Sequence, residues 1–366
     1  KHMGEEQLET YLGYILEDEE KKWGINNPRV GNNNRLTDLI NTAYEKSGKQ
    51  VVVLIDEYDA PLLDVAHDKD KLTALRNIMR NFYSPLKYRE PVLRFVFLTG
   101  ITKFSQVSIF SELNNITLLS MNDDYAGICG ITKEELLTQM SEDIEELAEK
   151  RGITKEQAID KLKENYDGYH FTAESPDIFN PYSLLNCFNE KKFGSYWFSS
   201  GTPTYLINMM RYYDVLPTDI TRVEADASEF DAPTENMSTI MPLLYQSGYI
   251  TIKDYHEDYD YYTLDIPNKE VRVGLTKSLI PSYVTQNTLA TTNTARRIAQ
   301  ALDKQDMDGA LQLLQTFLGT IPYCNVTNYE GHYQQMLFII FSLLTDYLVD
   351  VEVHTPRGRV DIVLLT

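Results

Sequence analysis

The sequence is short of cysteine, short of positive charge and without any long apolar run. Three cysteines, Cys129, Cys187 and Cys324, are scattered over 366 residues with no C-x-x-C and no Cys/His spacing. That excludes a disulfide scaffold and a cysteine zinc site, and predicts reduced, buried thiols in a cytosolic protein. Lys and Arg total 34 against 54 Asp and Glu, a formal net charge of −20. Such a balance excludes broad coating of nucleic acid or anionic membrane, while leaving room for a small basic cleft. No stretch reads as a signal peptide, and none approaches the roughly 20 apolar residues that span a bilayer. No membrane partner is therefore expected. The phosphate-cradling pattern G-x-x-x-x-G-K-[ST] does not occur.

What is there is organised around Val51–Asp59, V-V-V-L-I-D-E-Y-D. Five apolar residues, four of them β-branched, run into adjacent carboxylates. The composition is that of a fully buried parallel strand. Unpartnered buried carboxylates are costly, so Asp56 and Glu57 belong at the strand's carboxyl end, at the sheet rim where open α/β sheets bind ligands. An apolar run ending in Asp-Glu is the Walker B pattern. In that role Asp56 orders a Mg²⁺ shell and Glu57 polarises the attacking water. A solvated acidic turn, with Asp59 capping a helix, suits the same residues.

Helices are expected over Gly4–Trp23, Leu36–Glu45 and Lys71–Leu86 from their apolar spacing. A second buried strand, Val92–Leu98, runs into Thr99-Gly100-Ile101-Thr102-Lys103. Thr99 and Thr102 are candidates for a polar contact beside the first strand's carboxylates, the position called sensor 1; a loop with threonine caps is the plainer reading. Ile116–Leu119 reads as a further strand. Arg76 and Arg80 share a helix face and are read as solvated; with Arg94 they are the undistinguished candidates for an arginine finger.

Composition turns helical at Thr132, where a boundary is expected. Thr132-x-x-Glu135 and Thr154-x-x-Gln157 are capping boxes. Y-D-G-Y-H-F at Tyr166–Phe171 makes a packed aromatic corner with His170 as a structural histidine. Arg222–Glu235 reads as a polar loop. Short helices followed by a hairpin, Tyr249–Lys253 with Tyr261–Ile266, follow the order of a winged-helix module. Its tip, His256-Glu257-Asp258-Tyr259-Asp260, would repel phosphate and suits packing or a protein partner better. Glu330–Tyr347 is a strongly apolar helix, and Val351–Val353 with Arg359–Leu365 form a second hairpin. Asp361 interrupts an apolar strand there, which makes it a metal-site candidate.

Several stretches together resemble one family, the AAA-ATPase-like proteins common in anaerobic gut bacteria, which end in a PD-(D/E)XK-type nuclease domain. They are V-V-V-L-I-D-E-Y-D-A-P, F-L-T-G-I-T-K-F-S, S-E-L-N-N, Y-A-G-I-C-G-I-T, Y-D-G-Y-H-F, N-P-Y-S-L-L-N, K-K-F-G-S-Y-W-F, G-T-P-T-Y-L, Y-Q-S-G-Y-I-T-I and G-R-V-D-I-V. The resemblance implies a partial P-loop ATPase-like parallel sheet over 1–131, a helical lid with a winged-helix-like segment over 132–290, and the first part of an α/β nuclease-like domain over 291–366. It implies ATP and Mg²⁺ as cofactors, and DNA, foreign DNA among it, as a partner of the C-terminal part. By this resemblance Asp56 and Glu57 match the Walker B pair, Asp361 the first acidic residue of the nuclease motif, and Glu330 the carboxylate of the nuclease's first helix. The family's Walker A loop and its (D/E)-x-K pair are both missing from the 366 residues. The chain opens on Lys1 and closes on what reads as an unfinished strand, so a fragment is expected, inactive as it stands. The competing reading is an ATPase-like scaffold that binds protein partners without turnover.

Overall fold

Two amphipathic helices open the computed structural model, which describes residues 4–63, 65, 68–103, 116–198, 204–213, 215, 217–233, 237–283, 288–319, 329–343, 348–355 and 358–365. Helix α1 (Glu5–Trp23) buries Leu8, Leu12 and Leu16, and Gly24 ends it in the left-handed conformation at φ 68°. Helix α2 (Asn32–Ser47) buries Leu36, Ile40 and Ala43. The two are latched by a bidentate pair: Arg35 donates to both oxygens of the buried Glu20 carboxylate, at 2.9 and 2.8 Å. This geometry offsets the cost of burying the charge.

The chain divides into two compact units, residues 1–118 with 228–247, and residues 119–227 with 248–366. In the first, strand β1 (Val51–Ile55) pairs in parallel with β2 (Leu93–Leu98), and helix α3 (Lys69–Tyr83) lies between them in sequence. Val51, Val53 and Ile55 pack against a core built from α1, α2 and α3. The other face is open: Val52 is 51% exposed, Leu54 69% and Phe95 54%. The fully buried strand expected from composition is therefore half-buried. Among the described residues only one face of the strand pair is covered, and an apolar run alone does not reveal which faces will be. Residues 116–119, expected as a strand, form no regular element.

The second unit begins with a small bridge between β3 (Ile131–Thr132) and β4 (Ile178–Phe179). The helix expected from Thr132 to Lys150 is two helices, α4 (Lys133–Gln139) and α5 (Ser141–Arg151), because Met140 leaves helical geometry at φ −118°. Helix α6 (Lys155–Tyr166) follows, and both capping boxes form as the sequence predicts. These helices and α7 (Pro181–Glu190) close around Leu136, Ile144, Leu162, Tyr166 and Leu184. After α8 (Thr204–Tyr212), Val223–Ala225, expected as loop, form strand β5. It pairs with β7 (Tyr261–Asp265), which also pairs with β6 (Thr251–His256), giving a three-stranded antiparallel sheet in the order β5-β7-β6. A three-residue strand exists only through its distant partner, so local composition does not show it.

Helices α9 (Lys269–Tyr283), α10 (Thr288–Asp303), α11 (Met307–Leu318) and α12 (Tyr329–Ser342) come next. Ile280, Ile298, Phe317, Met336, Ile339 and Ile340 form their common core. An antiparallel hairpin, β8 (Leu348–Thr355) with β9 (Gly358–Leu365), ends the chain and packs along α12. Among the described residues no helix is long and apolar enough to cross a membrane. Cys187 is buried as expected, and burial pushes its thiol up to about 11. Cys129 is exposed, contrary to expectation, because it sits in the succession of tight turns over 125–130. Cys324 lies outside the described residues.

Candidate active site at the carboxyl ends of the parallel strands

The hydrogen-bond ladder between β1 and β2 continues one step past both strands. Thr99 N–H donates to the Ile55 carbonyl at 2.9 Å, and Tyr58 N–H donates to the Thr99 carbonyl at 2.9 Å. Those two bonds bring the residue after β2 against the residues after β1. Thr99 Oγ1 then donates to Asp56 Oδ1 at 2.5 Å. Two of the site residues named from sequence are thus in direct contact. Asp56 and Glu57 are both exposed at this rim. Glu57 adopts φ 51°, the left-handed region. A non-glycine residue there stores strain of about 1–2 kcal/mol.

Thr102 is placed differently. It is buried, and its hydroxyl donates to Asp59 Oδ2 at 2.7 Å. Asp59, two residues beyond Glu57, has no exposed surface. Its carboxylate also accepts the backbone N–H of Ile101 at 3.0 Å and of Thr102 at 2.6 Å. The Tyr58 hydroxyl donates to the Thr102 carbonyl at 3.0 Å. Burial above all, with Tyr58 and Asp59 near, raises the Tyr83 hydroxyl beneath this corner. Gly100 passes so close that an added Cβ would stand 2.6 Å from both Asp59 Oδ1 and the Tyr58 ring. Sequence reasoning reads Asp59 only as a helix cap, and the donors that define its setting lie 42 and 43 residues away. The one local signal is that Asp59 belongs to the same D-E-Y-D run.

The donor set suits a hard divalent cation carried with phosphate. Exposed carboxylates and a hydroxyl supply oxygen, and Mg²⁺ binds through one or two carboxylates while keeping water and phosphate ligands. Among the described residues no group of three or more His, Cys, Asp or Glu side chains forms a metal cage.

In the second unit, Glu330 is the second residue of α12 and Asp361 stands on β9 between Val360 and Ile362, whose partners on β8 are Val353 and Val351. Their side chains lie outside the described residues. His170 sits with Nδ1 3.5 Å from Asp177 Oδ1. That contact, ahead of opposing burial, holds the Asp177 carboxyl below its usual range. Nearby, Lys253 donates to the carbonyls of Gly168 at 2.8 Å and Pro267 at 3.0 Å. Burial lowers its ammonium and raises the Asp265 carboxyl.

Asp56 and Glu57 thus follow the carboxyl end of β1, and Thr99, at the carboxyl end of the parallel strand β2, is bonded across to Asp56. The family described as "Predicted AAA-ATPase" matches residues 1–110, and the PD-(D/E)XK nuclease superfamily matches residues 328–366. A protein of Azotobacter chroococcum mcd 1, described as "Uncharacterized protein in vnfD 5'region", is 30% identical over 367 aligned positions, covering 98% of this chain and 68% of its own length. No solved structure matches. The chain belongs to the AAA-ATPase-like family, with a PD-(D/E)XK nuclease superfamily segment at its C-terminal end.

Proposed function

We propose that the protein is a cytoplasmic ATPase coupled to a metal-dependent nuclease segment that acts on DNA, with foreign DNA as its proposed substrate. The observation that carries this reading is the Thr99–Asp56 bond at the strand ends, with Glu57 exposed beside it. Bound Mg²⁺ neutralises charge on the transferring phosphoryl group and its leaving oxygen. Asp56 would hold that ion's shell, with its carboxylate oriented by the Thr99 hydroxyl. Glu57 would accept the hydrogen bond of the attacking water and align it. Thr102 serves the loop behind them through Asp59, while Thr99 is the residue offered toward phosphate. In the C-terminal segment Asp361, with Glu330 from α12, would supply the oxygen ligands for phosphodiester cleavage.

The test is calorimetric titration of the full-length protein with Mg²⁺-ATP, followed by turnover of wild type and Glu57→Gln. Binding within about twofold and turnover at least ~100-fold slower, the scale of a lost general base, support the reading. Equal turnover in the two proteins removes Glu57 from the mechanism. A second reading, a scaffold that binds protein partners without turnover, draws on the hairpin of β6 and β7, where Asp254 is exposed and Tyr259 is 81% exposed at an acidic tip. Absence of nucleotide binding in the same titration favours it.

A further inference from the structure

The buried Asp59 carboxylate accepts three hydrogen bonds from the 99–102 loop, and none of the three comes from a cation. It has no exposed surface and accepts two backbone N–H groups and one hydroxyl, all from Ile101 and Thr102. A buried carboxylate is tolerated only when donors converge on it, and here a single loop supplies them. The loop is also shaped to approach it. At Gly100 any side chain would meet Asp59 Oδ1 and the Tyr58 ring at 2.6 Å. Tyr58 adds a fourth tie, from its hydroxyl to the Thr102 carbonyl. The residue that begins this loop is Thr99, whose hydroxyl holds Asp56. Asp59 therefore grips one end of a four-residue segment whose other end sets the orientation of the first acidic site residue.

We propose that Asp59 is a positioning residue for the Asp56–Glu57 pair. Resting on the ATPase reading above, it acts through the 99–102 loop, keeping Thr99 Oγ1 on Asp56 so that the carboxylate meets Mg²⁺ in a fixed orientation. It touches neither nucleotide nor metal itself. Its loss weakens Mg²⁺ binding and so raises the Mg²⁺ concentration that nucleotide binding requires, while leaving the nucleotide's own contacts in place.

The experiment is a double-mutant cycle in the full-length protein. The readout is the Mg²⁺ concentration that half-saturates binding of a fluorescent, non-hydrolysable ATP analogue, measured for wild type, Asp59→Asn, Thr99→Val and the pair together. Each single variant is expected to raise that concentration about tenfold, as when an outer partner of a metal ligand is removed. The double variant is expected to be no worse than the more affected single one, because both act on one contact. A wild-type Mg²⁺ requirement in Asp59→Asn, or effects that multiply in the double variant, overturns the proposal. Should Asp59→Asn fail to fold, Thr102→Val takes its place in the cycle, since it removes the hydroxyl bond and keeps the backbone donors. Its effect must likewise vanish in the Thr99→Val background. Asp56→Asn is the control: if it binds Mg²⁺ and analogue like wild type, the ATPase reading itself falls and this inference with it. If it is defective while Asp59→Asn is normal or additive, only the role of Asp59 is lost.

Discussion

Lys103 reaches 128 residues along the chain to Asp231, Nζ to Oδ2 at 2.6 Å, and its own backbone N–H donates to Gln246 Oε1 at 2.6 Å. Gln246 in turn donates to the Ala232 carbonyl at 2.8 Å. The loop that carries Thr99 is thus fastened at its far end to the 228–247 segment, which belongs to the same compact unit although it is distant in sequence. Both members of the ion pair are largely buried, 23% and 17% exposed, so the pair is screened less than a surface one.

Removing one partner should leave the other charge uncompensated. Lys103→Met is expected to lower the stability of the first unit by about 2 kcal/mol. The exchanged pair, Lys103→Asp with Asp231→Lys, should recover part of that loss. Trp23 and Trp197 are the two tryptophans of the chain, so a Trp197→Phe background lets denaturant unfolding followed by Trp23 fluorescence report this unit. No recovery in the exchanged pair would mean that shape rather than charge sets the contact.

Two glycines separate crowding from backbone strain. At Gly152 the backbone is left-handed, φ 65°, and nothing lies within 4 Å of an added Cβ. Gly152→Ala should cost about 1 kcal/mol, the conformational term alone. At Gly100 an added Cβ meets a buried carboxylate and a ring, so Gly100→Ala should cost about 3 kcal/mol and disturb the Thr99–Asp56 contact as well. Urea unfolding of both variants tests the ordering, and equal costs would contradict it.

Buried Glu270 sets a pH dependence in the second unit. Tyr196 and Trp197 N–H groups both donate to its Oε1, the latter at 2.8 Å. Burial raises the carboxyl above its ordinary 4.5. The folded state then holds the proton more tightly than the unfolded chain between those two values. Stability from this group falls as pH rises through that interval and is regained as pH falls toward 4.5. The stability of wild type minus that of Glu270→Gln should therefore shift in favour of wild type as pH is lowered from 7 to 4.5. Unfolding followed by Trp197 in a Trp23→Phe background measures it; a flat difference across that range refutes it.

Much of this was legible where the information is local. Thr132 and Thr154 each lie three residues before a side chain that completes a capping box, and both boxes form. The run into Asp56 and Glu57 marks a strand end by chemistry alone. The rest depends on partners that sequence spacing does not name. β5 exists through pairing with β7, 37 to 41 residues further on by the partners Ala225–Tyr262 through Val223–Leu264, roughly an order of magnitude beyond a hairpin turn of 2–5 residues. The open face at Val52, Leu54 and Phe95 is invisible because an apolar β-branched run has the same composition whether one face is covered or two. Asp59 reads as one more polar residue after a strand until its donors at Ile101 and Thr102 are known.

The last prediction sets stability against function at Glu57. Its φ of 51° is a conformation that glycine adopts freely and glutamate does not. Strain of this kind persists where the surroundings over-determine it, and in enzymes that is commonly the site. Glu57 is exposed, so its side chain contributes little packing that a substitution would forfeit. Glu57→Gly should therefore make the first unit more stable by about 1 kcal/mol. The same change should abolish ATP turnover in the full-length protein while Mg²⁺-nucleotide binding survives. Unfolding followed by Trp23 and a turnover assay on one preparation decide it together. A gain in stability with turnover intact would assign the strained residue to the turn alone, and a loss of stability would show that the Glu57 side chain holds a contact that outweighs its backbone strain.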